Sequence, residues 1–235
     1  MTRTIDVVFR YQEAEVEHYG AVAVIDTLRA TTTMTAILER GALAVRPVAG
    51  LEEAYALKER DPHLLLGGER DNRPPDGFDG GNSPYDWPES RVHGQRVVFS
   101  TTNGTAAIDK VRSIPRLVLA ALTNADAASR YLWQLERPTL VVASGTRGRV
   151  SLEDVLAAGA LVSLWPRESR SDAADMAATV FSAHRDRLRE AVREARHGRD
   201  LWDMGLEKDL DFAAGLNTSA IVPVLCQDGW IRAAD

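Results

Sequence analysis

The most informative segment of the sequence is Val97-Val-Phe-Ser-Thr-Thr-Asn-Gly-Thr105, in which an apolar run passes directly into a polar turn. Its first three residues are β-branched or aromatic, which is typical of a buried strand. Four hydroxyl side chains and one amide then surround Gly104, and an amphipathic pattern continues to Arg112. The segment therefore predicts a strand that leads through a polar turn into a helix.

The same alternation of apolar run and helical pattern recurs on both sides of this segment. The other predicted strands are Ala21 to Ile25, Leu64 to Leu66, Leu117 to Ala121 and Leu140 to Ala143. The other predicted helices are Thr31 to Arg40, Leu51 to Arg60, Ala125 to Glu136 and Leu152 to Leu164. Strands that alternate with helices predict an α/β fold, here a three-layer α/β/α arrangement around a mainly parallel sheet.

The two ends of the chain carry weaker signals. The first ten residues predict a first strand rather than a targeting segment, because Asp6 interrupts the apolar run and no cleavage site follows. Residues Ser171 to His197 predict one long amphipathic helix, and Ile221 to Leu225 predict an edge strand at the end of the chain. No linker-like stretch divides the sequence, so we expect residues 1–235 to form one domain.

Composition narrows the class of function. Hydrophobic residues make up 45% of the 235 residues and charged residues 26%, which is ordinary for a soluble protein, and no apolar run is long enough to span a membrane. The single cysteine, Cys226, excludes an internal disulfide and favours a cytoplasmic location. A net charge of −6 without a basic stripe argues against nucleic acid as a partner, whereas abundant arginine suits small anions. The composition does not determine the oligomeric state, and it is compatible with a homo-oligomer.

Polar residues follow the predicted strands, where ligands bind in open α/β sheets. The turn Ser100-Thr-Thr-Asn-Gly-Thr105 predicts an anion site at a helix N-terminus, because a simple helix cap needs only one such side chain. Asp26 and Arg29 follow another strand and suggest a metal ion beside its anion, although an N-cap Asp with a surface Arg is the simpler alternative. Glu69 lies on a glycine-rich turn after a third strand.

Four further acidic positions and one loop complete the candidates. Glu153 and Asp154 open a predicted helix, where acidic residues are favoured by the helix dipole whatever their function. Asp211 and its neighbour Asp209 near the C-terminus are either late contributions to a site or ordinary surface acids. The glycine-rich loop around Asn82 and Ser83 predicts an irregular connection. The five histidines show no zinc-ligand spacing, and none is assigned a role.

Taken in order, these motifs resemble the 2-phosphosulfolactate phosphatase family, a family of coenzyme M biosynthesis. They are Asp26-Thr-Leu-Arg-Ala-Thr-Thr-Thr, Gly68-Glu-Arg, Gly81-Asn-Ser-Pro, Ser100-Thr-Thr-Asn-Gly-Thr, Ser151-Leu-Glu-Asp and Asp211-Phe-Ala-Ala. The resemblance runs from about Asp26 to Pro223. It implies an α/β/α fold and a magnesium-dependent phosphatase that converts 2-phospho-3-sulfolactate to sulfolactate and phosphate.

On this resemblance we expect the site to divide into three sets of residues. The expected catalytic residues are Asp26, Arg29, Glu69 and Asp154. The expected Mg²⁺ ligands, direct or through water, are Asp26, Glu69, Glu153, Asp154 and Asp211. The expected substrate-binding residues are Asn82, Ser83, Ser100, Thr101, Thr102, Asn103, Gly104, Thr105 and Arg147.

Other functions stay open beside this one. A phosphatase for a related 2-phospho-hydroxyacid and a non-catalytic regulator that binds a phosphorylated ligand both fit the same turns. A haloacid-dehalogenase phosphatase needs a second acid two residues after its nucleophile, and here that residue is Leu28. The spacing of Cys226 and Arg232 matches cysteine phosphatases, but only three residues follow Arg232, too few for the helix that such a site requires.

Overall fold

In the computed structural model, which describes residues 3–234, the strands join in one sheet in the order β1-β7-β2-β6-β8-β9-β3-β5-β4. The strands are β1 Ile5–Val8, β2 Ala21–Ile25, β3 Ala44–Pro47, β4 Leu65–Gly68, β5 Arg96–Ser100, β6 Leu117–Ala120, β7 Thr139–Ala143, β8 Pro223–Leu225 and β9 Ile231–Ala233. The helices are α1 Ala30–Glu39, α2 Leu51–Arg60, α3 Glu89–Val92, α4 Gly104–Val111, α5 Ala125–Gln134, α6 Leu152–Val162, α7 Asp172–His184, α8 Leu188–Glu194, α9 Arg196–Asp203 and α10 Glu207–Ala213.

Helices cover both faces of the sheet, as the sequence predicts. Side chains alternate along β2, so Ala21, Ala23 and Ile25 pack against α5, α6 and α7. The intervening Val22 and Val24 pack on the other face against α1 and α4. The α/β/α arrangement with a mainly parallel sheet is therefore confirmed. No helix within residues 3–234 combines the length and the apolar character needed to cross a membrane.

The C-terminal strands lie in the middle of the sheet, so the predicted edge position is wrong. Two parallel groups, β1-β7-β2-β6 and β3-β5-β4, are joined by the β8–β9 hairpin. Val224 pairs with Val118 of β6 and Ile231 pairs with Val45 of β3, both antiparallel. The short apolar run at the chain end predicts a strand, but its position in the sheet depends on pairing with strands distant in sequence.

The long helix predicted for Ser171 to His197 is also wrong, because the segment forms three helices. The chain leaves helical geometry at Arg187, before α8, and at Ala195, where ψ is 149° before α9. Met176, which the amphipathic pattern places on the apolar face of that helix, is 60% exposed. Neither break is marked by proline or glycine, so the periodicity of the sequence passes through both. Strand β3 was absent from the prediction because its short segment includes Arg46 and Pro47.

Helices α6 and α7 pack closely at Gly159, and we expect Gly159→Ala to be destabilising. A Cβ at this position would lie 2.2 Å from the carbonyl oxygen of Ala177 and 2.6 Å from Cβ of Phe181. Separating the helices should cost about 2 kcal/mol, which exceeds the gain of about 1 kcal/mol in helix propensity. Urea unfolding measures the resulting net decrease in the free energy of unfolding. Gly50→Ala is the control, because nothing lies within 4 Å of its Cβ position, and it should change stability by less than about 1 kcal/mol. Equal effects would contradict the close packing.

Candidate functional site

The carboxyl ends of β2, β4 and β5 meet at a small cavity of about 60 Å³, which has room for a few water molecules or one phosphate group. Asp26, Glu69 and Thr102 each lie just after one of these strands. Six of the residues expected from the sequence line the cavity: Asp26, Glu69, Asn82, Thr102, Asn103 and Arg147. Strand β2 belongs to a different parallel group from β4 and β5, so the fold of the whole chain, and not direct pairing of these strands, brings their end residues together.

Asp26 is the central acid of this cavity and is 7% exposed. The pKa of its carboxyl is raised to about 6, first by burial and then by the nearby charges of Glu69 and Glu153, against the opposing effects of His197 and the backbone N–H of Ala30. The beginning of α4 packs against this carboxylate, since a Cβ on Gly104 would lie 2.6 Å from its Oδ2. Glycine at position 104 therefore lets a helix N-terminus approach the acid.

Glu69 lines the cavity and also ties two loops together. Its Oε1 accepts a hydrogen bond of 2.8 Å from the backbone N–H of Thr102, and its Oε2 accepts one of 2.9 Å from Asn72. The preceding residue, Gly68, has φ +131°, and a Cβ there would lie 1.9 Å from the carbonyl oxygen of Ser100. The loop after β4 and the turn after β5 are therefore held against each other around one carboxylate.

Asp154 and Glu153 lie at the start of α6. Asp154 accepts hydrogen bonds from the backbone N–H groups of Thr27, at 2.8 Å, and Gly145, at 3.0 Å, so it joins the turn after β2 to the loop after β7. Burial first, then the charges of Glu153 and Asp26, raises the pKa of Asp154 well above its usual value. Asp154 does not form part of the wall of the small cavity. Its contacts are those of a residue that positions two loops.

Arg29 is buried in an ion pair and does not line the small cavity. Its Nη1 lies 2.6 Å from Oδ2 of Asp209, on α10, and its Nη2 donates to the carbonyl oxygen of Asn72 at 3.3 Å. The other carboxylate oxygen of Asp209 accepts a 2.6 Å hydrogen bond from the hydroxyl of Ser83. Asp209 therefore anchors both Arg29 and Ser83. The sequence alone left the role of Asp209 undecided.

The remaining expected residues have internal partners. The hydroxyl of Thr105 donates to the carbonyl oxygen of Thr101 at 2.7 Å, and the hydroxyl of Ser100 accepts from Arg70 at 2.9 Å. These contacts shape the turn before α4. Asp211 is half-exposed and pairs with Arg189 at 2.9 Å, and the structure does not place it with the acids of the cavity.

The oxygen atoms at the cavity fit Mg²⁺. Within residues 3–234 no three Asp, Glu, His or Cys side chains are grouped as metal ligands, so a cluster of the five expected acids does not form. Mg²⁺, however, is commonly held by one or two carboxylates together with waters and phosphate oxygens. Asp26 and Glu69 supply two carboxylates, and the Oδ1 atom of Asn82, buried in the same wall, has no hydrogen-bond partner.

The sequence assigned no role to His197 and left that of Asp209 undecided. His197, on α9, lines the small cavity, and Asp209 holds Arg29. No spacing rule marks His197, since its partners Glu153 and Thr146 are more than 40 residues away in sequence. By contrast, Cys226 is half-buried at the end of β8 in the hairpin that leads to β9, so it does not begin the loop-to-helix nest of a cysteine phosphatase.

These features define an α/β protein with an acidic, oxygen-lined cavity at the carboxyl ends of parallel strands, suited to a cation and a phosphate. The chain belongs to the 2-phosphosulpholactate phosphatase family, whose model matches residues 8–228, and it is thereby a phosphoric monoester hydrolase. Among its relatives is a probable 2-phosphosulfolactate phosphatase of Deinococcus radiodurans, 42% identical over 88% of this chain and 89% of that protein. Proteins with the same name from Thermotoga petrophila and Carboxydothermus hydrogenoformans are 39% and 35% identical, over 86% and 93% of this chain and 87% and 92% of theirs.

Proposed function

We propose that this chain is a Mg²⁺-dependent phosphatase that hydrolyses 2-phospho-3-sulfolactate to sulfolactate and inorganic phosphate. The observation that carries the proposal is the convergence of Asp26, Glu69 and Asn82 on one small cavity at the carboxyl ends of the strands. The names of the relatives support the choice of substrate. A purely phosphate-binding protein has no need to bury two carboxylates beside its anion, since their charges repel it.

In this proposal Asp26, Glu69 and the amide oxygen of Asn82 hold the metal ion. Bound Mg²⁺ supplies positive charge that screens the phosphate oxygens and lowers the pKa of a coordinated water. The Asp26 carboxylate would stay ionised more easily with the cation bound, because burial and the charges of Glu69 and Glu153 raise its pKa. Glu69 also keeps the Thr102 backbone in place, so metal binding and the shape of the turn depend on the same side chain.

In this proposal phosphate contacts Thr102, Asn103 and Arg147, which also line the cavity. Thr102 and Asn103 precede the N-terminus of α4, where the helix dipole favours negative charge. Arg147, after β7, lines the cavity with an exposed guanidinium that can form two parallel hydrogen bonds with phosphate or carboxylate oxygens. Phosphoryl transfer depends mainly on such positioning and charge stabilisation.

The test is phosphate release from a panel of phosphate esters, with Mg²⁺ and with EDTA. We expect 2-phosphosulfolactate to have the highest kcat/KM, and EDTA to reduce the rate by about 100-fold or more, with recovery on adding excess Mg²⁺. Activity that persists in EDTA would contradict the Mg²⁺ assignment. A higher kcat/KM for 2-phospholactate would identify that ester as the substrate instead. If no ester on the panel is hydrolysed, the result would favour a regulator that binds a phosphorylated ligand.

A further inference from the structure

A second, larger cleft opens beside the small cavity. Its volume is about 960 Å³, and its wall is formed by the loop after β7, the first turn of α6 and the start of α9. Four residues, Thr146, Arg147, His197 and Asp200, line both spaces. A ligand whose phosphate occupies the small cavity therefore extends past these residues into the larger cleft.

His197 is the most constrained of the four. Its side chain is about nine-tenths buried, and its Nδ1 lies 3.3 Å from the hydroxyl of Thr146 and 3.7 Å from Oε1 of Glu153. Thr146 in turn accepts a 2.9 Å hydrogen bond from Ser151. One edge of the imidazole is thus fixed by α6 and its preceding loop, and the ring lies at the boundary between the two spaces.

These contacts are compatible with an N–H donor at the other ring nitrogen, Nε2. A threonine hydroxyl that accepts from Ser151 has its own proton free to donate, and donation to Nδ1 leaves the neutral ring with its proton on Nε2. If the ring is doubly protonated, Nε2 carries a proton as well. In both states the free edge of His197 presents an N–H donor.

The charges around the boundary favour a small anion there. Arg147 is exposed and makes no ion pair or side-chain hydrogen bond within residues 3–234, so its guanidinium is available to a ligand. Asp200 also faces the boundary but is exposed, where solvent screens its charge. Glu153 is engaged with His197 on the side away from the free edge of the ring.

We propose that His197 and Arg147 bind the non-reacting acid group of the substrate, a carboxylate or sulfonate next to the phosphorylated carbon. This inference rests on the proposed function and adds a second anchoring point to it. The phosphate is held in the small cavity, and the second acid group reaches the N–H donors of His197 and Arg147 where the cavity opens. The pair thereby selects phosphate esters of hydroxyacids over simple phosphate monoesters.

Calorimetric titration with two probes, sulfolactate and inorganic phosphate, separates this role from general support of the fold. We expect His197→Leu to weaken sulfolactate binding by roughly 10- to 100-fold, because a hydrogen bond to a charged group is lost, and to change phosphate binding by less than about twofold. His197→Gln keeps a side-chain N–H donor and should stay within about fivefold of the wild type. His93→Leu is the matched control, since His93 is exposed and precedes β5, at the end of that strand away from the cavity.

Unchanged sulfolactate affinity in His197→Leu would overturn the inference, as would an equal loss for both probes or no binding of sulfolactate to the wild type. The proposed function is tested separately, by phosphate release from 2-phosphosulfolactate by the wild-type protein. A His197-dependent affinity for sulfolactate without hydrolysis of the ester would support the inference and refute the proposed function. Hydrolysis with unchanged affinity in His197→Leu would do the reverse.

Discussion

Asp26→Asn is expected to lower kcat for phosphate release by about 1,000-fold or more, because it removes the central acid of the cavity without changing its shape. The substitution takes away a negative charge that we assign to Mg²⁺ binding. Steady-state kinetics at saturating Mg²⁺ measure the effect, and Asp228→Asn, at an exposed position in the β8–β9 turn, is the control that should retain full activity. Activity of Asp26→Asn within a few-fold of the wild type would refute the assignment.

The same substitution should raise stability in the metal-free protein. The pKa of Asp26 is about 6 in the folded chain and 3.8 in the unfolded chain, so the ionised carboxylate lowers the free energy of unfolding. This cost is complete above about pH 6 and shrinks as the pH falls from 6 toward 3.8, because below 3.8 the carboxyl is mostly protonated in both states. In EDTA, the Tm of Asp26→Asn should exceed that of the wild type at pH 8, and the difference should shrink toward pH 4. A lower Tm at pH 8 would contradict the burial of an unneutralised charge.

Local sequence patterns predict most of the strands, but they do not predict the order of the strands in the sheet. Apolar runs such as Ala21–Ile25 are long and bounded by polar turns, and they form strands as predicted. The β8–β9 hairpin shows the limit, because each of its strands has three residues and its place between β6 and β3 depends on pairing with residues more than 100 positions away. Strand order is a property of long-range contacts that no local pattern contains.

The site was predictable to the level of the strand ends. Ligands bind at the carboxyl ends of strands in α/β sheets, so Asp26 and Glu69, each at a strand end, are candidates from the sequence alone. Their meeting depends on the fold of the whole chain, because β2 and β4 belong to different parallel groups of the sheet. What the sequence could not provide was the direction of each side chain. Asp209 and Asp211 illustrate this, since residues two apart on a helix point to nearly opposite sides. In the folded chain Asp209 is buried against Arg29, whereas Asp211 faces Arg189 near the surface.

His197 was missed for a related reason. A helix that continued through position 195 would place the following residues around its own axis. The amphipathic pattern of Ser171 to His197 indicates no function for them. Because the chain leaves helical geometry at Ala195, α9 begins in a new direction, and His197 lies against Glu153 and Thr146. A break without glycine or proline changes which side chains reach the site and leaves no mark in the hydrophobic pattern.

The burial of Arg29 leads to the second large expected effect, on stability. Asp209→Ala leaves the guanidinium of Arg29 buried without its counter-charge and deprives Ser83 of its acceptor, so we expect a loss of about 3–5 kcal/mol and a Tm lower by roughly 10 °C or more. Thermal unfolding followed by circular dichroism measures this. Asp211→Ala is the matched control on the same helix: its pair with Arg189 is half-exposed, and its removal should cost less than about 1 kcal/mol.

The double variant Arg29→Met with Asp209→Leu separates packing from chemistry. Replacing both charges by apolar side chains of similar volume removes the unpaired buried cation, so most of the lost stability should return. If Arg29 only positions the loops after β2 and β4, phosphatase activity should recover to within about tenfold of the wild type. Restored stability with activity still lost would show instead that Arg29 moves away from Asp209 and contacts the substrate. Apolar packing can replace a side chain that only supports the loops, but it cannot replace a charged group that binds phosphate.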